Sequence, residues 1–285
     1  MNGLDRTRVK ARAMLRAPVG LTVRLIERAS GDFKYPLAVC AIFREEAPFL
    51  DEWIAFHHGI GVRHFYLYNN FSSDHFRQVL ATWIARGLVT LIDWPQPVGQ
   101  LSAYRDCIWR ARRDCRWIAF LDLDEFLFSP QSTDIGDVLE RYADLPGLEV
   151  WQVYFGSGGH EARPDLPVTE AYRMRAPTNR NSAKTIANPR MVYKVGVHRF
   201  KYWRGRALDT ARLPVGPGRE PVLDLLRINH YWSRSLQDLE QKVARHDASI
   251  ADLRDRSWHF AFERTLNAER DETILSVARA VRQRR

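Results

Sequence analysis

The chain has 285 residues, of which 45% are hydrophobic, 12% aromatic and 27% charged, a composition that supports one large buried core and excludes disordered, collagenous and staple-dependent small scaffolds. No run approaches the roughly 18 apolar residues of a membrane span, and the arginine-rich first thirty residues lack the apolar stretch of a cleaved signal peptide. Cys40, Cys107 and Cys115 make an odd set without CxxC spacing, so neither a disulfide framework nor a zinc ribbon is indicated and a reducing compartment is expected.

The formal net charge is +9, and five of those nine charges lie in residues 1–34. Leu15, Val19, Leu21, Val23, Leu25 and Ile26 are interspersed with the arginines there. This basic leader reads either as a segment resting on an anionic membrane surface or as a solvated terminus. A cytoplasmic protein, peripheral at the inner face of the membrane, is the corresponding expectation.

From Leu37 the pattern becomes regular. Residues 37–43 form a short apolar run rich in strand formers, and residues 48–58 follow with Phe49, Leu50, Trp53 and Ile54 at helical spacing, stopped by Gly59 and Gly61. The alternation continues through a strand at 63–68, a helix at 74–86 closed by Gly87, a strand at 88–94, a helix at 101–114 and a strand at 116–121. Strands separated by helices of this length need crossover connections, so an α/β fold with a mainly parallel sheet flanked by helices is predicted. LAVCAIF and WIAFL read as near-continuous apolar runs, as strands buried on both sides do.

Beyond these, a short helix near 135–142 and a strand at 148–155 lead into a Gly, Pro and Arg-rich stretch over 156–189, read as an active-site loop. Strand-like segments at 191–197 and 222–228, a helix from 235 to about 246 and a last helix over 260–282 complete the chain. The expected organisation is the leader over 1–34, one α/β domain with a small additional sheet over 35–250, and a C-terminal helical extension over 251–285.

Ligands of open parallel sheets bind beyond the carboxyl ends of the strands. Each predicted strand delivers polar groups there: Arg44, Glu45 and Glu46 after the first, Asn69, Asn70, Ser72 and Asp74 after the second, Asp93 at the third, and Asp122, Asp124 and Glu125 after the fourth. Asp122 and Asp124 are two apart, and an extended backbone points both carboxylates to one side. Two like charges so close repel unless a cation lies between them. Hard oxygen ligands favour Mg²⁺ or Mn²⁺, completed by waters and substrate phosphate oxygens. The bland alternative, a surface acidic turn, is weakened by the apolar flanks Ile118, Phe120 and Leu121 on one side and Phe126, Leu127 and Phe128 on the other.

The segments AVCAIFREEAPFLDEWIAFHHGIGVRHFYLYNNFSSD, QLSAYRDCIWRARRDCRWIAFLDLDEFLF, KTIANPRMVYKVGVHRF and INHYWSRSLQDLEQK, in this order between about Leu37 and Lys242, resemble glycosyltransferase family 92 and the related family 2-like enzymes. The resemblance implies a GT-A fold with a nucleotide-sugar donor, preferably a UDP-sugar, bound at the ends of the first, second and fourth strands. It also implies Mn²⁺ or Mg²⁺ on Asp122 and Asp124, and transfer to a hydroxyl of a glycan or other acceptor with inversion at the anomeric carbon.

Carried onto this chain, the resemblance sets Phe43, Arg44 and Glu46 around uridine, Asn69, Asn70 and Asp74 at the base or ribose, and Arg105 and Lys184 near the diphosphate. A capped loop for the asparagines, an exposed helical face for Arg105 and a helix-dipole role for Glu45 and Glu46 are the competing readings. Of the nine histidines, His57, His58 and His64 read as structural or exposed, whereas His198 and His230 follow strands inside the matching segments. One of these two, with His198 preferred, is expected to complete the metal shell. Glu161 and Asp165 are the candidate bases for the acceptor hydroxyl, with hydrogen bonding to the acceptor or local capping as the alternative. Trp151, Tyr154, Trp203 and Trp232 are available to stack on a sugar ring or to pack the core.

Two other function classes stay open. A Mg²⁺-dependent phosphohydrolase with Asp122 as nucleophile is disfavoured by the aspartate's position after a fourth strand. A basic nucleic-acid-binding protein is disfavoured because the charge excess concentrates at the N-terminus and no zinc finger, RRM or helix-turn-helix signature occurs. Nucleic acid is therefore not an expected partner.

Overall fold

A computed structural model describes residues 33–177, 182–245 and 255–284. Nearly all of the basic leader, and residue 246 at the expected end of the penultimate helix, lie outside the described residues. The first half alternates as the apolar pattern predicts: β1 (Tyr35–Phe43), α1 (Ala47–Gly59), β2 (His64–Asn69), α2 (Phe76–Ala85), β3 (Val89–Asp93), α3 (Gln100–Ala111) and β4 (Cys115–Phe120). β1 pairs in parallel with β2 and β4, and β2 with β3.

The period-two division of β1 explains why helices cover both faces. Leu37, Val39, Ala41 and Phe43 enter one apolar cluster with Trp53 and Ile54 of α1 and Leu80 and Trp83 of α2. Ala38, Cys40 and Ile42 enter another with Ala103, Tyr104, Cys107 and Ala111 of α3. Pro48 lies in the first turn of α1, where its missing N–H costs nothing. The Ala47 N–H is taken by Asp74 at 2.8 Å. All three cysteines are free and buried.

The second half comprises β5 (Glu125–Phe128), α4 (Gly136–Glu140), β6 (Gly147–Phe155), α5 (Val168–Ala171), β7 (Met174–Arg175), β8 (Ala183–Ala187), β9 (Val192–Lys194), β10 (Lys201–Tyr202), β11 (Arg227–Tyr231), α6 (Leu236–Arg245), α7 (Arg256–Arg264), β12 (Glu269–Arg270) and α8 (Leu275–Gln283). Three readings change here. The stretch expected to be loop contains β8, which pairs antiparallel with both β4 and β6 and so joins the two halves of one ten-stranded sheet. All five of its residues are buried, yet AKTIA carries one large apolar side chain and its local pattern does not announce a central strand.

β11 starts later than expected and takes in Asn229 and His230, pairing in parallel with β6 and antiparallel with β5. The single helix expected over 260–282 is instead α7 and α8, separated by β12, which pairs with β7. The small additional sheet is β9 with β10. α8 packs on α1: a Cβ added to Gly59 would stand 2.3 Å from Val281 Cγ1, and Val277, Ala278 and Val281 share the apolar cluster of α1. Among the described residues no helix is long and apolar enough to cross a membrane.

Candidate active site at the carboxyl edge

The pairings give β1, β2, β3, β4, β6 and β11 one direction, so their carboxyl ends share an edge. β8 and β5 run the other way, which brings their first residues to that same edge. Lys184 is the second residue of β8 and Glu125 the first of β5. His230 of β11 is in register with Glu125 on one side and Tyr154 on the other.

The acidic motif itself is a turn, not an extended segment. The strand ends at Phe120, and the Glu125 N–H donates to the Asp122 carbonyl at 3.1 Å as the chain reverses into β5. The two aspartates consequently face different cations. Asp122 Oδ2 pairs with Lys184 Nζ at 2.5 Å, and its Oδ1 accepts from Gln100 Nε2 at 3.2 Å. Asp124 Oδ2 pairs with Lys242 Nζ at 2.6 Å and stands 3.4 Å from His230 Nε2.

Glu125 lies between them, fully buried. It accepts the Asp122 N–H at 3.0 Å and the Gln152 side chain, and its Oε1 is 3.3 Å from Lys184 Nζ. Burial, reinforced by Asp122, pushes the Glu125 carboxyl up to about 7, against the pull of Lys184. Burial opposes ionisation of Asp124 as well, yet Lys242 and His230 hold that carboxyl well below the usual carboxylate range. Lys184 keeps its proton despite burial because Asp122 and Glu125 raise it. The site is thus a compact array of alternating charges whose members neutralise one another in a water-poor setting.

Asp124, Glu125 and His230 offer three ligand atoms all within 4.8 Å of one another. Two carboxylate oxygens and an imidazole nitrogen form a donor set that suits Mn²⁺ or Mg²⁺. Since Lys242 already neutralises Asp124, an incoming cation has to displace that ammonium. Asp122 belongs to the neighbouring Lys184 pair and not to this three-ligand group. His198 is exposed, between β9 and β10, and its carbonyl accepts the Thr185 hydroxyl at 2.7 Å. The geometry therefore gathers His230 with Asp124 and Glu125, while His198 stands outside that three-ligand group yet near enough to Lys184, Asp122 and His230 for their charges to act on its imidazole.

Most of the remaining expected donor-site residues make contacts within the loops around this edge. Phe43 is buried edge-on against Phe76, with centroids 5.4 Å apart. Arg44 lies beside Phe71, and its buried Nε has no hydrogen-bond acceptor among the described residues. Glu46 pairs with Arg234 at 2.7 Å. Asn69 donates to Asp93 at 2.9 Å and accepts from the Ser72 N–H, while Asn70 donates to the Trp94 and Gln96 carbonyls. Asp74 accepts from the Ala47 and Phe76 N–H groups. Arg105 is exposed on α3.

Glu161 and Asp165 are exposed on the segment after β6, and the Glu161 carbonyl receives the Gln237 N–H at 2.9 Å. Their side chains are not part of the buried charge array. Gln100, Gln152, Arg234 and Lys242 are participants not named from the sequence, and Glu125 was named only as a polar group at the end of the fourth strand. Glu125 adjoins the acidic motif, and Arg234 and Lys242 lie inside INHYWSRSLQDLEQK, so these three carried a sequence signal. Gln100, the first residue of QLSAYRDCIWRARRDCRWIAFLDLDEFLF, carried the same kind of signal, and Gln152 carried none.

The family model for glycosyltransferase family 92 matches residues 35–272. A glycosyltransferase family 92 protein of Oryza sativa subsp. japonica is 31% identical over 78% of this chain and 37% of its own length. A galactan beta-1,4-galactosyltransferase of Arabidopsis thaliana is 28% identical over 56% of this chain and 34% of its own. The chain thus spans little more than a third of the curated relatives it matches. Among solved structures, S. aureus TarS 1-349 in complex with UDP overlaps 55% of this chain and 47% of that one, at 9% identity and a TM-score of 0.39. The sheet, parallel over β3-β2-β1-β4 and flanked by helices, agrees with the GT-A fold that the sequence resemblance implied. By the extent of the family match, the chain belongs to glycosyltransferase family 92.

Proposed function

We propose that this chain transfers a sugar from a nucleotide diphosphate donor, a UDP-sugar by preference, to a hydroxyl of a glycan or similar acceptor, with a divalent cation at the Asp122–Glu125 turn. One observation carries the reading: Asp122, Asp124, Glu125, His230, Lys184 and Lys242 come from four separated segments and converge at the edge where parallel sheets bind ligands. Asp124 and His230, with Glu125 beneath, would hold Mn²⁺ or Mg²⁺, and such an ion supplies Lewis-acid stabilisation of the departing diphosphate.

Lys184, buried against Asp122 and Glu125, adds fixed positive charge where negative charge develops, and Lys242, displaced from Asp124 by the cation, adds a second, movable one. Gln100 holds Asp122 in place from α3. The acceptor enters from the side of the segment after β6, where Glu161 or Asp165 takes the hydroxyl proton. A single displacement from the face opposite the leaving group inverts the anomeric carbon. Residues 1–34 are assigned, on their charge, to peripheral contact with an anionic membrane from the cytoplasmic side.

The test is a thermal-unfolding screen of UDP-, GDP- and dTDP-sugars, each with and without Mn²⁺, followed by product analysis for the stabilising donor. A donor at one hundred times its Kd raises stability by about 2.7 kcal/mol. Absence of metal-dependent stabilisation by every donor would overturn the proposal. Phosphate release from simple phosphoesters would instead favour the phosphohydrolase.

A further inference from the structure

Arg234 follows β11 and precedes α6, with its backbone at φ +53°. A non-glycine residue in this left-handed region stores on the order of 1–3 kcal/mol of strain and persists only where its surroundings impose it. The side chain is 6% exposed. Its Nη1 donates to Glu46 Oε2 at 2.7 Å, and its Nη2 donates to the Leu123 carbonyl at 2.9 Å. The guanidinium lies 3.5 Å from the centroid of the Phe49 ring. One planar group therefore ties the N-cap and first turn of α1 and the middle of the acidic turn to the start of α6.

Leu123 is the residue between Asp122 and Asp124. Fixing its carbonyl fixes the peptide plane that leads into Asp124, and so the direction from which that carboxylate meets His230 and Lys242. Fold stability alone is a poor reason for the arrangement, because a buried ion pair gives little net stability compared with apolar packing of the same volume. The strained backbone points the same way, since strain of this kind gathers where a geometry has to be held. Only a guanidinium reaches a carboxylate and a carbonyl at once with its ring-stacked plane fixed; an ammonium does not.

We propose that Arg234 is a positioning residue that clamps the Asp122–Leu123–Asp124 turn through the Leu123 carbonyl, with Glu46 as its anchor, and thereby sets the affinity of the site for a divalent cation. This rests on the glycosyltransferase reading of the turn.

The experiment compares the parent chain with Arg234→Lys, Arg234→Met and the double variant Glu46→Gln/Arg234→Met. Unfolding is followed by circular dichroism, and Mn²⁺ binding by the loss of the free-ion electron paramagnetic resonance signal. The double variant leaves no orphaned buried charge and should regain most of the melting temperature lost by Arg234→Met. It should nevertheless bind Mn²⁺ at least tenfold more weakly than the parent, as should Arg234→Lys. Parent-like Mn²⁺ affinity in either folded variant overturns the proposal and leaves the glycosyltransferase reading intact. A parent that binds no Mn²⁺ overturns the metal reading and this inference with it. Failure of both Arg234→Lys and the double variant to fold assigns the clamp to the fold and also overturns the proposal.

Discussion

His57 provides a test of the packing beneath the acidic turn. It is fully buried on α1. Its Nε2 accepts the Leu127 N–H at 3.2 Å, so Nδ1 carries the proton and donates to the Trp53 carbonyl at 2.8 Å. Trp53 Nε1 in turn donates to the Glu125 carbonyl at 2.8 Å, so α1 grips β5 on either side of Phe126. Burial drives the His57 pKa from 6.5 down to about 3, only partly offset by the Trp53 carbonyl. Below pH 6.5 the unfolded chain binds a proton that the folded one refuses. The contribution of a neutral His57 is therefore complete above that pH and is lost as the pH falls toward 3.

At pH 5 the loss relative to pH 8 is on the order of 2 kcal/mol, which lowers Tm by roughly 4–8 °C in a chain of this size. His64, pushed down to about 4 mainly by burial, acts in the same direction, so the comparison is between the parent and His57→Gln. The variant should be less stable at pH 8, but its Tm should fall by several degrees less than the parent's between pH 8 and pH 5. Identical pH slopes in differential scanning calorimetry would refute the buried, neutral His57.

Lys184→Met leaves Asp122 and Glu125 without their shared ammonium and should cost about 3–5 kcal/mol in urea unfolding; parent-like stability would contradict the buried pair. Gly156→Ala sets a Cβ 2.3 Å from Asn267 Oδ1, whose amide group also holds the Gly158 N–H and Glu263. It should cost about 1–3 kcal/mol and speed amide exchange at Ser157 and Gly158, and unchanged exchange there would show that α7 does not brace this loop.

The first half of the fold was legible because its signals are local: LAVCAIF and WIAFL are apolar on both faces, and the helices between them end at Gly59 and Gly87. β8 was not legible, since what makes AKTIA a strand is the gap between β4 and β6 that it fills, a long-range fact absent from its own pattern. β11 was placed too early because Asn229 and His230 look like groups beyond a strand end, whereas both are buried within it. The break between α7 and α8 did leave a trace, the Asp271 side chain that caps the Thr273 N–H.

At the site, chain direction delivered the acidic motif to the correct edge. The spacing rule for extended backbone failed for Asp122 and Asp124 because β5 requires the chain to turn there. Partners such as Gln152 and Lys242 are joined to the motif only by tertiary structure. Glu161 and Asp165 follow β6 as expected, exposed on the segment beyond it.

The central claim is that Asp124 holds a cation needed by the donor's diphosphate. Calorimetric titration of UDP into the parent and into Asp124→Asn, each with and without Mn²⁺, tests it most directly. The predicted result is UDP binding that requires Mn²⁺ in the parent and weakens at least tenfold, about 1.4 kcal/mol, in the folded variant. UDP affinity indifferent to Mn²⁺ in the parent, or equal in the two proteins with Mn²⁺ present, would contradict it.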